Sequence, residues 1–507
     1  MRIFVAVSGQ QWLGGLTIQS AMLCRELERL GHELAVVSIG TDAPVDQFPY
    51  ARVKYGHPMK EWPVLGGDGR DMGYVFRYEV VAHASRYIPS ASEPVRRALA
   101  PAVRAAMRVW GGSRGHVFGQ RSWAAAASAT VYAALSGTST TDTLEAGFLS
   151  RLLLNTDEVD VARLNEIRRW FKPDVDYACD LALVPMLARL EDRRIPLIAA
   201  AQGFELVYRR GVRLLESIAS RRERLDLILS GSEANIRENL PDLRRAIGPD
   251  VPARAIPYGA LLDERWDMST TEALERLNTL RRRRAAQGDD FGDLFGGQNA
   301  TGKSRPFVIA SLSRLDVEKG ADLPLHALSL LRRQGLPVRL WIAGSLMPGS
   351  FLDVLQSKIR MMDLTEDVNL IGTLPHAEDK IALLRAADAF ASGFIRSEPL
   401  GLVYTEAFAA GLPVVGPDSG AAPELMAAVG ETRTLYPEND TGALADRIKL
   451  LYDLPELRAE LAHAERRAFR ERFNARSMAR AAVDEFERAI AARCGRLHGG
   501  PQNATST

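Results

Sequence analysis

Arg2–Ile39 reads RIFVAVSGQQWLGGLTIQSAMLCRELERLGHELAVVSI, and its reading decides the fold class. RIFVAVS (Arg2–Ser8) is a short apolar run, the pattern of a strand buried on both faces of a parallel sheet. A Gly-bearing loop, GQQWLGG, follows. TIQSAMLCRELERLG then reads as an amphipathic helix. Ile18, Met22, Leu23, Leu27 and Leu30 share its broad apolar face, and Gly31 is a natural C-cap. HELAVVSI supplies the next strand. Strand, helix and strand form one βαβ unit, which predicts a doubly wound α/β sheet.

The rhythm recurs at PDVDYACDLALVPMLARL and IPLIAAAQG, then at LDLILSGSEANIRENL and ARAIPYGALLDERW. These stretches complete a first Rossmann-like domain over residues 1–268. Within it, residues 50–160 carry few strand signals, and SEPVRRALAPAVRAAMRVW is helical in pattern, so a helical insertion is expected there. Residues 269–305 change character: TTEALERLNTLRRRRAAQG predicts a charged, exposed helix, and a Gly- and Asp-rich stretch follows. This is read as a linker. From Phe307 the alternation is clean, through FVIASL, ADLPLHALSLLRRQG, VRLWIAGS, FLDVLQSKIRMM, VNLIG, AEDKIALLRAA, AFAS, VYTEAFAAG and LPVVG. A second doubly wound domain is therefore expected over 306–472. A last long helix should cover 473–495, and 496–507 should be a disordered tail.

The bulk numbers narrow the function. A chain of 507 residues has room for two or three domains, and its 46% hydrophobic and 25% charged shares are those of an ordinary globular protein. A formal net charge of +1 argues against a general nucleic-acid binder, which would carry a basic excess. Three widely separated cysteines (Cys24, Cys179, Cys494) form no CxxC, so neither a metal site nor a disulfide framework is expected. The chain opens without an apolar signal region, and no run of 18 apolar residues is present. Its most apolar helical stretch, WAAAASATVYAAL (Trp123–Leu135), is too short to span a bilayer. A cytoplasmic setting without a transmembrane segment is expected, with peripheral membrane contact left open.

GGQNATGKS (Gly296–Ser304) matches the P-loop pattern G-x-x-x-x-G-K-[ST] from Gly297. A working P-loop lies between a strand and a helix, so that amides and dipole converge on phosphate. GDDFGDLFGG is no strand, Pro306 denies the helix, and SRPFVIASL runs into a strand. The match is read as a coincidence in the linker, and a P-loop NTPase is disfavoured.

Two α/β domains on one chain imply a ligand in a cleft between them, at the carboxyl ends of the strands. After FVIASL, Arg314 and Lys319 lie five residues apart, in a turn that leads into a helix. They could hold a diphosphate. Taken alone, they read better as surface cations beside Asp316 and Glu318. In SGFIRSEPLGLVYTEAFAAGLPVVG, Glu398 precedes a helix and Glu406 lies on it, eight positions later. Gly401 shapes the entry, and the free amides of Leu402 and Val403 favour an anion. Two carboxylates beside an anion site make sense where sugar and ribose hydroxyls flank a diphosphate, because carboxylates accept hydrogen bonds from hydroxyls.

RSEPLGLVYTEAFAAGLPVVG resembles the E-x7-E signature of glycosyltransferase family 4 (group 1), a retaining family of the GT-B fold, with two Rossmann-like domains facing across a cleft. SLSRLDVEKGADLPLHALSLL is similar to that family's donor-phosphate segment, and the Gly14-Gly15 loop, GHELAVVS and IPYGALLDERW also fit. The resemblance covers roughly residues 1–45, 170–268 and 306–490. It implies a hexosyltransferase in which Arg314 and Lys319 grip the donor diphosphate. It also implies that Glu398 meets the donor sugar and Glu406 the ribose. The Leu402 and Val403 amides would touch the distal phosphate, with Gly14 and Gly15 facing it. The final helix would cross back to the first domain.

One departure stands out. Many relatives carry a His after a late strand of the first domain, where this chain has Gln202, with Asp180 in the preceding unit. Both are taken as acceptor-side candidates. No metal or other cofactor is expected; Asp174-Val-Asp176 forms a DxD, but its place at a strand entry reads as structural. The partners implied are a UDP- or GDP-sugar donor and a hydroxyl-bearing, or other nucleophilic, small-molecule or glycan acceptor. The main rival is a nucleotide-sugar epimerase on the same fold, which scattered histidines do not support.

Overall fold

A computed structural model describes residues 1–9, 15–40, 76–77, 158–202, 218–289, 291–295, 305–315, 319–344, 351–374, 376–395 and 398–498. Gly14 and the GGQNATGKS stretch lie outside these residues, as does the expected insertion apart from residues 76–77 and 158–160. The chain divides into two compact units. The first comprises Met1–Leu229, Asp242–Pro252 and Glu485–Thr507, and the second Ser230–Pro241 and Ala253–Asp484. This partition differs from a boundary at residue 268, because segments that follow one another in sequence are shared between the units.

The first sheet begins with β1 (Arg2–Gly9), α1 (Gly15–Arg29) and β2 (Glu33–Gly40). Then come β3 (Phe76–Arg77), α2 (Glu158–Phe171), β4 (Val175–Ala178), α3 (Val184–Leu187), β5 (Leu197–Ala201) and β6 (Leu225–Ser230). Two short helices, α4 (Glu233–Asn239) and α5 (Pro241–Ile247), precede β7 (Ala253–Ala255). The strand order is β3-β2-β1-β4-β5-β6-β7. β1 pairs in parallel with β2 and with β4, so it runs through the middle of the sheet. That position explains its apolar run: Ile3, Phe4, Val5 and Ala6 have no exposed surface.

Helix α1 forms where its pattern predicts, but its buried face is rotated. Leu23 and Leu27 are buried, and so are Gln19, Ser20 and Cys24, while Ile18, Met22 and Leu30 are half-buried. Polar residues on the buried side were invisible to a reading based on apolar spacing alone. β3 also departs from expectation: within the stretch expected to be helical, Phe76 and Arg77 pair with Val37 and Ser38 at the sheet edge.

Within the second unit, α6 (Thr270–Ala285) is followed by β8 (Phe307–Leu312), α7 (Leu323–Arg333), β9 (Val338–Ala343), α8 (Leu352–Met361) and β10 (Val368–Gly372). It continues with α9 (Ala377–Ala386), β11 (Ala389–Ala391), α10 (Leu402–Ala410), β12 (Val414–Pro417), α11 (Ala422–Val429) and β13 (Leu435–Tyr436). Helices α12 (Thr441–Asp453), α13 (Pro455–Glu471) and α14 (Ala475–His498) complete the chain. The sheet order is β10-β9-β8-β11-β12-β13, with β8 central, parallel to both neighbours and buried along its whole length. The order reverses beside β8, the switch point at which doubly wound sheets bind ligands.

The linker expectation needs correction. α6 starts in a capping box, in which Ser269 and Glu272 satisfy each other's backbone amides, and it buries Ala273, Leu277 and Leu280. Arg276 bonds Asp379 of α9 at 2.7 Å. Farther on, Phe291, Leu294 and Phe295 are buried; Trp341 donates to the Leu294 carbonyl at 3.1 Å and Asn369 to the Phe291 carbonyl at 2.9 Å. The arginine-rich composition hid a narrow apolar stripe: α6 keeps the expected charged, exposed face, with Arg282 and Arg283 in solvent, but its other face is docked rather than free. Beyond it, Pro306 leads straight into β8, so a strand and no helix follows the P-loop match.

The last helix is also longer than expected. It runs to His498, three residues into the expected tail, and residues 499–507 lie outside those described. From Glu485 onward it belongs to the first unit. There the Phe486 ring stands 5.4 Å from Tyr177, Arg493 donates to Asp226 at 3.0 Å, and Arg496 also pairs with Asp226. These bonds explain why the helix continues where composition suggested a tail.

Candidate active site

In the second unit, two loops meet at the carboxyl ends of the central strands. One follows β8 and carries Arg314 and Lys319. The other follows β11 and carries Glu398. They are locked backbone to backbone at two glycines. A Cβ on Gly320 would stand 1.8 Å from the Gly393 carbonyl oxygen, and one on Gly393 would stand 2.1 Å from that of Gly320. No side chain fits at either position, so the close approach itself demands glycine.

This contact brings Lys319 to Glu398. The Lys319 Nζ donates to Glu398 Oε2 at 2.5 Å and lies 5.0 Å from the centroid of the Phe394 ring. Both charged side chains keep about a fifth of their surface exposed, at 22% and 20%. Partial exposure lets such a pair exchange partners. Arg314 is half-buried at the start of the same loop, and its carbonyl accepts from the Ser313 hydroxyl at 3.0 Å. Residues 316–318, which separate it from Lys319, lie outside the described residues.

Gly401 has φ of +71° and stands at the N-terminus of α10. This left-handed turn directs the chain from Glu398 into the helix, and a side chain there would crowd Glu398 Cγ and Tyr404 Cδ2, both at 3.1 Å. Leu402 and Val403 form the first turn, whose amides lack intrahelical acceptors. Tyr404 anchors the helix beneath. Its hydroxyl is 2.7 Å from that of Ser392, its ring meets Phe394 edge-on at 5.6 Å, and burial holds its phenol well above the usual range, hence neutral. The first turn thus stands on a fixed base with a positive dipole end at the loop.

Glu406 takes a different partner from Glu398. It is 3% exposed, and Lys380 of α9 bonds its Oε1 at 2.5 Å. A glutamate read from sequence beside apolar neighbours thus has a dedicated cation that the reading did not identify. One signal was available: only 8 of the 64 Lys and Arg residues are lysine, and two of those 8 sit on these two glutamates.

In the first unit, Gln202 and Asp180 follow adjacent strands. Gln202 Nε2 donates to the Cys179 carbonyl at 3.2 Å and to Gln19 Oε1 of α1 at 3.4 Å, and Asp180 is 4% exposed. Gly15 is the first residue of α1. The DxD carboxylates are engaged separately. Asp174 accepts from the Arg2 amide at 2.7 Å, and Asp176 is gripped by Arg168 at 3.0 and 2.7 Å.

Chemically, the second unit offers two lysines, each held by a carboxylate, an arginine on the same loop as one of them, and a helix N-terminus. That set suits an anion with hydroxyl groups near it. No helix among the described residues is long and apolar enough to cross a membrane.

Comparison with known proteins points the same way. The family model "Glycosyl transferases group 1" matches residues 298–468, which include Arg314, Lys319, Lys380, Glu398 and Glu406. A GDP-mannose-dependent alpha-(1-6)-phosphatidylinositol monomannoside mannosyltransferase of Mycolicibacterium smegmatis is 36% identical over 150 residues, 28% of this chain and 38% of the relative. The chain therefore spans well under two thirds of the length of the curated relatives it matches, 35% to 41% for the next two. Among solved structures, a glycosyltransferase from Rickettsia africae has a TM-score of 0.60 at 14% identity, covering 96% of this chain and 98% of its own. Anabaena HepE, solved in complex with UDP, has a TM-score of 0.59 at 16% identity, covering 96% of this chain and 100% of its own. These likenesses show the GT-B fold. Over residues 298–468, the part that holds this site, the chain is similar to the group 1 glycosyl transferases.

Proposed function

We propose that this chain is a retaining glycosyltransferase of family 4. It would move a hexose from a UDP- or GDP-sugar to a hydroxyl-bearing small molecule or glycan, in a cytoplasmic setting. The observation that carries this reading is the Lys319–Glu398 pair at the foot of α10, a cation and a carboxylate that a sugar diphosphate can divide between them. The diphosphate takes Lys319 and Arg314, and its distal phosphate takes the Leu402 and Val403 amides. Glu398, released from Lys319, accepts from the sugar hydroxyls. Glu406 accepts from the ribose.

The chemistry follows from where charge develops. As the glycosidic bond breaks, negative charge grows on the leaving phosphate, and fixed cations and amides stabilise it there. The leaving oxygen takes the acceptor's proton on the same face of the sugar, so configuration is retained without a protein nucleophile. Cations and amides hold the diphosphate without a metal in this reading. Gln202 and Asp180 are assigned to the acceptor side. The mannosyltransferase relative and the UDP complex of the fold neighbour are why both UDP and GDP donors are kept.

The test is product analysis with UDP-glucose and GDP-mannose, with and without a panel of sugar acceptors. An α-linked product from an α-linked donor supports the reading. An epimerised donor formed without acceptor would sink it in favour of the epimerase.

A further inference from the structure

Glu398 is held from behind by Ala421 and Glu424, inside the match to the group 1 model, and by Ser232, outside it. Its carbonyl accepts from the Ala421 amide at 3.0 Å, just before α11. The next carbonyl, of Pro399, accepts from the Ser232 hydroxyl. Ser232 is fully buried and is the N-cap of α4, where its oxygen also accepts from the Asn235 amide at 3.0 Å. The hydroxyl is thus used as donor and acceptor at once. Glu424 of α11 closes the ring: its Oε2 accepts from the amides of Glu233 and Ala234 at 3.1 and 3.3 Å. Beside this, a Cβ on Gly231 would meet Leu400 Cβ at 3.0 Å and Tyr258 Cε2 at 2.8 Å, so the strand end is pressed against the same loop. Ser230–Pro241 and the Glu398 loop belong to one compact unit.

We infer that Ser232 and Glu424 are positioning residues that set the reach of Glu398 toward the donor sugar. The ring runs from α4 through Glu424 to α11, from Ala421 to Glu398, and from Pro399 back to Ser232. The ring meets the chain at the Glu398 and Pro399 carbonyls, not at the Glu398 carboxylate, and Glu424 ties α11 to α4 behind them. Glu398 therefore has two controls: Lys319 on its side chain and the ring on its backbone. This inference rests on the reading of Glu398 as the sugar-binding carboxylate.

Its signature is a split between sugar and phosphate. Ser232→Ala removes the hydrogen bond to Pro399, and Glu424→Gln removes the charge that pairs with the α4 amides. Each should lower kcat for transfer about tenfold or more, since small misplacements at a reacting centre are costly. Each should leave the affinity for UDP or GDP, measured by calorimetry, within about threefold of wild type, because the diphosphate does not touch the ring. Ser232→Thr, which keeps the hydroxyl and still caps a helix, should restore most of the rate. If Ser232→Ala fails to fold, Glu424→Gln reads the same ring from its other end. Wild-type kcat in a folded Ser232→Ala or Glu424→Gln, beside a dead Glu398→Gln, overturns the inference while leaving the glycosyltransferase reading intact. Equal loss of diphosphate binding and rate also overturns it, as general damage. Wild-type transfer by Glu398→Gln removes the reading on which it rests.

Discussion

The two units use opposite charges differently. In the first, buried carboxylates answer to arginines: Arg168 grips Asp176 through two nitrogens with both side chains almost wholly buried, at 4% and 0% exposure, and Arg493 holds Asp226 at 3.0 Å. In the second, the two glutamates of the candidate site answer to lysines, Lys319 and Lys380. A guanidinium offers a rigid fork that fixes a carboxylate; an ammonium is a point charge on a flexible stem. The difference teaches where this protein keeps permanent ion pairs and where it keeps exchangeable ones. Arginine pairs brace the first sheet. In the function proposed above, the Lys319 pair opens and a diphosphate enters between its members.

The largest effect should come from the permanent kind. Arg168→Ala leaves Asp176 buried without its cation and should destabilise the protein by about 3–5 kcal/mol in a denaturant titration. A loss no larger than that of a surface pair would erase the distinction. Next comes the exchangeable kind. Glu398→Gln should cut transfer about a hundredfold with an unchanged melting temperature, while UDP or GDP binds more tightly because Lys319 has lost its competitor. Weaker diphosphate binding in that variant would mean that Lys319 is not released by ligand. Lys319→Ala and Arg314→Ala should each lower kcat/KM about ten- to a hundredfold and weaken diphosphate binding as well. Near-normal turnover in either would count against the site.

Much of this was legible in the residues, and the reason is physical. Parallel strands buried on both faces must be continuous apolar runs, so β1 and β8 stand out as RIFVAVS and FVIASL. Glu398 and Glu406 stood out because carboxylates beside a Gly-shaped helix entry are unusual. What escaped depends on contacts between distant residues. Nothing near Glu406 announces Lys380, 26 positions earlier, and nothing near Glu398 announces Ser232. The Gly320–Gly393 lock is a matter of backbone approach, which side-chain chemistry does not encode. The docked segment from α6 to Phe295 escaped because its run of four arginines, Arg281 to Arg284, dominates the composition over the scattered apolar residues that fasten it.

The smallest expected effect is on proton binding, where the units should behave alike. Burial, more than any neighbouring charge, lowers the affinity of His32 in the first unit and His326 in the second for a proton. Each contributes stability that is present above the ordinary histidine value near 6.5 and lost as pH falls through its lower folded value. NMR titration of the two rings should give midpoints below about 6.5 for both. A midpoint above that value in either would show that a carboxylate, not burial, governs it.

The central claim is that Lys319 and its loop form the diphosphate grip, and nucleotide binding tests it most directly. UDP, GDP, ADP and TDP would each be added to the wild-type protein and to Lys319→Ala, and the melting temperatures compared. A ligand that binds only the native state raises the transition. UDP or GDP should raise the wild-type melting temperature, and most of that rise should vanish in Lys319→Ala. No shift with any of the four, or a full shift kept in Lys319→Ala, would contradict the account.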